Sequence, residues 1–254
     1  MNKETKIKER LEKHYSTAML KYGKEAVLGV FLYGSQNYNT DIEGSDVDTK
    51  CILIPNIRTL ACYPYEVKHL DVDGEVCECM SIQHMVANWK KQNINFVEIM
   101  FTPYCKINPI YESLWYDFVG SKLRDRVARY DVKKAILSMA NQALHTYFQD
   151  PSDFKKQMNT TRLQASLLRI TDSSRPYWEC IHFEDEVANE LREIRAIGAE
   201  AADMQDRIDN LNYYIARAAQ YTADPEEQEA TNSALDDLIV AFIRTRLNYE
   251  VFNI

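Results

Sequence analysis

The chain has 254 residues, enough for one large domain or two small ones, and its 46% hydrophobic and 27% charged residues are the balance of a globular protein. Its formal net charge of −8 argues against broad, non-specific DNA binding. No apolar run approaches the roughly 20 residues that span a bilayer, and the charged start MNKETKIKERLEKHY is unlike a secretory signal, so a cytoplasmic protein is expected.

Residues 3–21 place Ile7, Leu11, Tyr15, Met19 and Leu20 near helical spacing, and Gly23 closes the segment, which predicts an amphipathic leading helix. An apolar run from Val27 to Tyr33 then stops at Gly34-Ser35. A polar loop follows, and Asp46-Val47-Asp48 opens a second apolar run, Cys51 to Ile54. Strand, loop, strand is the expectation. Side chains of a strand alternate faces, so Asp46 and Asp48 point one way and Val47 the other. Two converging carboxylates repel unless a cation lies between them, and oxygen ligands of this kind suit a divalent metal. Gly34, lacking a Cβ, lets a phosphate approach the backbone, with the Ser35 hydroxyl as a donor beside it. Singly, an Asp-x-Asp pair or a Gly-Ser dipeptide is an ordinary loop feature; their conjunction points to chemistry.

Pro55 ends the second strand. Two further strands, Tyr65 to Val72 and Glu75 to Met80, meet at Asp73-Gly74, a strong hairpin signal. By alternation Glu78 faces opposite to Cys77 and Cys79, which is either a solvated strand face or a placed carboxylate. Glu75 abuts the turn and is expected to be exposed. A helix from Ser81 to about Lys91 should bury Ile82, Met85, Val86 and Trp89. Tyr104 to Ile107 reads as an edge strand, and Pro109 as the start of the helix that leaves the sheet.

From about residue 120 the chain reads as helical, with amphipathic segments at 129–149, 153–171, 184–197, 200–221 and 225–248. Asp150-Pro151 and Asp224-Pro225 fit helix starts, Asp capping free amides and Pro occupying the first turn. Arg162, Ser166 and Arg169 form a polar stripe at i, i+4 and i+7, which is either a solvated face or a binding surface. Charge is uneven: residues 121–170 hold ten Lys/Arg against four Asp/Glu, and residues 171–254 seven against eighteen. The six cysteines, Cys51, Cys62, Cys77, Cys79, Cys105 and Cys180, read as reduced core residues, because Cys77-x-Cys79 has no second pair at zinc spacing.

Tyr33-Gly34-Ser35 and Asp46-Val47-Asp48 resemble the signature of the DNA polymerase β-like nucleotidyltransferases: apolar residue, Gly, Gly or Ser, a spacer, then Asp-apolar-Asp or Glu. Within that superfamily the chain looks most like the predicted nucleotidyltransferases with a helical C-terminal half. Asn93 to Glu98 resembles the family's Asn-x-Asn-apolar-apolar-Glu segment, in which the Glu is structural. Ile194-Arg195-Ala196-Ile197-Gly198 resembles its Ile-Arg-x-Gly box. The chain departs from the family after Asp48, where Lys50-Cys51 replaces Arg-Gly, and in the stripe, where Arg162 replaces Lys and Ser166 replaces His.

The resemblance implies an α+β fold, a small mixed nucleotidyltransferase sheet with flanking helices in residues 1–119 followed by a helical bundle in residues 120–254. It implies a metal-dependent enzyme that moves an NMP from an NTP such as ATP to an acceptor hydroxyl, releasing pyrophosphate. Asp46, Asp48 and Glu78 would be catalytic and hold two Mg²⁺, with Mn²⁺ able to substitute; the third carboxylate is carried onto Glu78 by the resemblance. Gly34, Ser35, Lys50, Arg162 and Arg169 would bind the nucleotide, a role that suits the basic middle of the chain. The alternative is a catalytically silent nucleotide-binding or antitoxin-like module on the same scaffold. The acceptor, whether a nucleic-acid end, a protein or a small molecule, and the oligomeric state stay open.

Overall fold

The computed structural model describes residues 2–62, 67–184 and 186–252, the side chains of Ala61, Cys62 and Phe252 excepted. Helix α1 (Lys3–Tyr22) begins where the Asn2 side chain accepts from the Thr5 amide, and it ends at Gly23, whose φ of 92° suits a residue without Cβ. Ile7, Leu11, Tyr15 and Ala18 are buried as expected, whereas Leu20 is exposed, since the helix rotates it off the packed face.

Strand β1 (Val27–Leu32) runs to Gly34, short helix α2 (Ser35–Tyr38) follows, and β2 (Thr49–Leu53) returns antiparallel to β1. A bulge between Val27 and Gly29 shifts the alternation of β1, so that Leu28 joins Phe31 on one face while Val27, Val30 and Leu32 share the other. Short helix α3 (Ile57–Cys62) leads on to β3 (Lys68–Val72) and β4 (Glu75–Ser81), the hairpin read from Asp73-Gly74. The expected start of β3 at Tyr65 lies outside the described residues. After α4 (Ile82–Lys90) and α5 (Ile94–Val97) comes edge strand β5 (Cys105–Ile107). The sheet is mixed, in the order β3-β4-β2-β1-β5, with β2 and β4 parallel and the other pairs antiparallel.

Helix α1 covers one face, over Val30, Leu32, Cys51, Cys77 and Cys79. On the other face Leu28, Phe31, Ile52 and Met80 pack under α4, where Ile82, Met85, Val86 and Trp89 are all buried. The Ser81 hydroxyl caps α4 by accepting from the His84 amide. Apolar packing then continues without a break into the helical half, through Trp115 and Leu163 to Leu191 and Phe242.

That half comprises α6 (Glu112–Val119), α7 (Lys122–Ala128), α8 (Val132–Gln149), α9 (Phe154–Ile170), α10 (Tyr177–Ile181), α11 (Glu186–Ile197), α12 (Ala201–Arg217) and α13 (Pro225–Phe252). Helix α9 packs on α8, α10 and α11, and α13 on α4 and α7. Three expectations are corrected. Pro109 lies in a turn, and α6 starts at Glu112. Asp150 ends α8 and holds the turn by accepting from the Ser152 amide, while Asp153 caps α9. Glu75 is largely covered rather than exposed, because Arg10 reaches it at 3.3 Å. Asp224-Pro225 does begin a helix, its Asp side chain accepting from the Glu226 amide.

Cys51, Cys77, Cys79 and Cys180 are buried free thiols and Cys105 is a half-buried one; the Cys62 side chain lies outside the described set. No helix among the described residues is long and apolar enough to cross a membrane.

Candidate functional site

The connection from β1 to β2 forms one wall of a cleft of about 370 Å³. Gly34 takes φ 83° and ψ −156°, a conformation open to glycine, and its carbonyl accepts from the Asn37 and Tyr38 amides to start α2. The Tyr33 amide donates to the Asp48 carbonyl at 3.1 Å, which extends the β1–β2 ladder by one bond and sets Asp48 beside Gly34. Gln36 donates from Nε2 to the carbonyls of Ser45 and Asp46, fixing the returning loop against α2.

Asp46 and Asp48 precede β2 instead of lying within it, yet the alternation read from sequence holds. Both line the cleft, while Val47 between them is fully buried on the α1 side of the sheet. Asp46 is exposed and Asp48 half-buried. Burial, and then the Asp46 charge, push the Asp48 carboxyl above its usual range, with Lys155 opposing the shift. A Cβ on Gly34 would sit 2.9 Å from Asp48 Oδ2, so the missing side chain is what makes room for the carboxylate.

The opposite wall belongs to the helical half. Lys155, Asn159 and Arg162 of α9 line the cleft, as does Arg195 of α11. Arg162 is only 4% exposed, with its guanidinium 4.0 Å over the Tyr38 ring. Among the described residues its Nε and Nη1, Arg195 Nη1 and Ser166 Oγ are buried without hydrogen-bond partners. Buried donors of this kind are costly unless something accepts from them, and an anion in the cleft would accept from Arg162 and Arg195, which line it. The stripe on α9 is therefore no solvated face at Arg162 and Ser166.

The site bends that stripe away from its expected direction. The sequence pattern extends it C-terminally from Arg162 to Arg169, but the cleft takes Lys155, Asn159 and Arg162, at i, i+4 and i+7, in the N-terminal direction. Arg169 donates instead to the Glu179 carbonyl at 2.9 Å and lies over the Phe183 ring, away from the cleft lining. The same 3.6-residue period, extended two turns backward, would have found Lys155 and Asn159. Arg195 lies in the Ile194–Gly198 box, a resemblance that by itself assigns it no role in the cleft.

Lys50 and Glu78 also lie outside the cleft lining. They face each other in the β2–β4 register, and Lys50 Nζ donates to Glu78 Oε2. The Lys50 ammonium is 3.7 Å from the centre of the Tyr33 ring and 4.7 Å from that of Phe96. Among the described residues no group of three or more His, Cys, Asp or Glu is arranged to hold a metal ion. The carboxylates lining the cleft are Asp46, Asp48 and the exposed loop residue Glu43; Asp46 and Asp48, two residues apart beside Gly34, fit a single divalent cation, whereas Glu78 is engaged by Lys50.

Residues of the helical half hold α2 from behind. His182 donates from Nδ1 to the Asn37 carbonyl at 2.8 Å, Asn39 donates to the Phe183 carbonyl at 2.7 Å, and Arg192 donates to the Asn39 carbonyl at 2.9 Å. Asn37 and Tyr38 in turn donate to Glu98, which is fully buried as a structural residue would be.

No protein-family model and no curated protein matches the chain. Among solved structures it is similar to a nucleotidyltransferase-like protein from Exiguobacterium sibiricum, with 14% identity over 84% of this chain and 74% of that one and a TM-score of 0.30. A likeness of that extent establishes no shared activity, and the functional reading rests on the cleft.

Proposed function

We propose that the cleft binds a nucleoside triphosphate and that the protein is a nucleotidyltransferase, moving an NMP to an acceptor hydroxyl with release of pyrophosphate. The observation that carries this reading is the pairing of walls: Asp46 and Asp48 beside Gly34-Ser35 on one side, and Lys155, Arg162 and Arg195 on the other. A triphosphate is a polyanion with several acceptor oxygens, which matches buried guanidinium donors that lack partners.

A divalent cation such as Mg²⁺, held by Asp46 and Asp48, would offset charge at the α-phosphate when bound. Arg162 and Arg195 take the tail of the triphosphate and orient it, and Lys155 balances the aspartates. The Ser35 hydroxyl and the open backbone at Gly34 leave room for the phosphates against the strand end. With the nucleotide so aligned, the acceptor hydroxyl oxygen forms a bond to the α-phosphorus and gives up its proton to solvent while the bond from the α-phosphorus to the α–β bridging oxygen breaks and pyrophosphate leaves.

Incubation with each of four labelled NTPs, Mg²⁺ and a cell extract as acceptor source tests the reading. Label transfer with pyrophosphate release is expected, and Asp48→Asn should abolish it while leaving thermal unfolding cooperative. Transfer that survives in both Asp46→Asn and Asp48→Asn would rule the cleft out. A second reading, a nucleotide-binding module without turnover, is favoured by the engagement of Glu78 with Lys50 and, among the described residues, by the lack of a group of three carboxylates arranged to hold a metal ion. Saturable NTP binding without pyrophosphate release would select it.

A further inference from the structure

Two divalent ions in one site bring four positive charges, and the proteins that hold them gather several carboxylates to balance the load. Here the third carboxylate within electrostatic reach of Asp48 is Glu78, and it is already satisfied. Lys50 and Glu78 are register partners on parallel strands, so their side chains share a face of the sheet. The Lys50 side chain is 3% exposed and that of Glu78 26%. Aromatic rings of Tyr33 and Phe96 close over the ammonium. An ammonium this deeply covered needs an anion beside it. Turning Glu78 toward a metal would strip Lys50 of that anion and place a divalent charge next to an unpaired monovalent one. Tyr33 lines the cleft with one part of its surface and rests on Lys50 with its ring, so the pair also shapes the wall next to Asp48.

We infer that Lys50 is a built-in cation standing in for a second divalent ion: it neutralises Glu78 and leaves Asp46 and Asp48 to hold a single ion. The inference rests on the reading of the cleft as a cation-assisted nucleotide site. Glu78 is then a positioning residue, acting through Lys50 on Tyr33, and not a metal ligand.

Mn²⁺ titration of the metal-stripped full chain, followed by electron paramagnetic resonance, counts bound ions without any turnover. Wild type should bind a single Mn²⁺. The double variant Lys50→Met/Glu78→Gln, which removes both charges together, should keep that single ion with affinity within about threefold, whereas loss of a true ligand costs about tenfold or more. Lys50→Met alone frees Glu78 and should tighten binding by about tenfold or admit a second ion. Two ions on wild type, a lost ion in the double variant, or a Lys50→Met chain indistinguishable from wild type would each refute the substitution of ammonium for metal, with the nucleotide site left standing. A wild-type chain that takes up no Mn²⁺, or one whose Mn²⁺ is unaffected by Asp46→Asn, would instead bring down the cation-binding cleft and this inference with it.

Discussion

The Tyr38 hydroxyl donates to Glu98 Oε1 at 2.5 Å, tying the helix that follows Gly34-Ser35 to the segment after α4. Asn37 donates to the other carboxyl oxygen at 2.7 Å. Burial pushes the Glu98 carboxyl up to about 7 against the pull of Tyr38, Asn37, Arg162 and Lys50, each of which favours its charge. The fold therefore prefers Glu98 protonated. The stability this contributes is complete below the ordinary value of 4.5 and is lost as pH rises from there through about 7. Glu98→Gln cannot titrate, so its unfolding free energy should fall less than that of wild type across this window, by about 3 kcal/mol. Denaturant unfolding at several pH values measures the difference. His14, fully buried and pushed from 6.5 down to about 4, adds stability as pH rises through much of the same window, but it is common to both chains and cancels in the comparison.

Arg162 carries a second prediction. At pH 5 Glu98 is mainly protonated, and the contact of the guanidinium with the Tyr38 ring remains beside Nε and Nη1 atoms that have no hydrogen-bond partner among the described residues. Arg162→Met at that pH should change unfolding free energy by about 1 kcal/mol or less, since an apolar chain of similar volume replaces a buried charge. Affinity for ATP with Mg²⁺ should nevertheless drop by about tenfold or more, the loss of a charge-assisted phosphate contact. Calorimetric titration at pH 5 checks the second figure, and equal ATP affinity in both chains would remove Arg162 from the site.

Gly34→Ala probes the aspartate wall. A residue with a Cβ at φ 83° is strained by about 1–3 kcal/mol, and its Cβ would press on Asp48 Oδ2. Nucleotide binding should fall with the displaced carboxylate, whereas Gly74→Ala, at φ 82° in the β3–β4 turn with no heavy atom within 4 Å of the added Cβ, should carry strain without that loss. Parallel measurements of unfolding and ATP binding separate the two effects.

Arg246 tests how the last helix is held. It is 6% exposed and donates from Nη1 to the Ile54 carbonyl just past β2, with Nε on Glu250 at 2.6 Å and Nη2 3.7 Å from Glu25. Arg246→Ala leaves these groups without their donor and should cost about 1–3 kcal/mol. Limited proteolysis should then cut within α13 sooner than in wild type.

Much of this site is readable because its parts are adjacent in the chain. Gly34-Ser35 and Asp46-Val47-Asp48 belong to one strand-loop-strand unit, where alternation alone sends Val47 inward and both aspartates to the cleft. Local periodicity likewise identifies α4 and α9. It could not say which part of the α9 stripe meets the cleft, because Lys155 and Arg169 sit on the same helix with similar spacing from Arg162. The docking of α10 decides that, its Glu179 carbonyl accepting from Arg169 and leaving Lys155 to the aspartates.

By itself the sequence determined the local elements, the mixed α+β character and the neighbourhood of Asp46 and Asp48 to Gly34, since turn chemistry and side-chain periodicity act over a few residues. Tertiary structure alone decided the partner of each buried charge. Glu78 meets Lys50 because β2 and β4 pair in parallel register, Glu98 meets Tyr38 because the segment after α5 packs against α2, and among the described residues Arg162 Nε and Nη1 are left without a hydrogen-bond acceptor. The free energy of a charged group depends on burial and on what lies within a few ångströms, and chain segments far apart in sequence supply both.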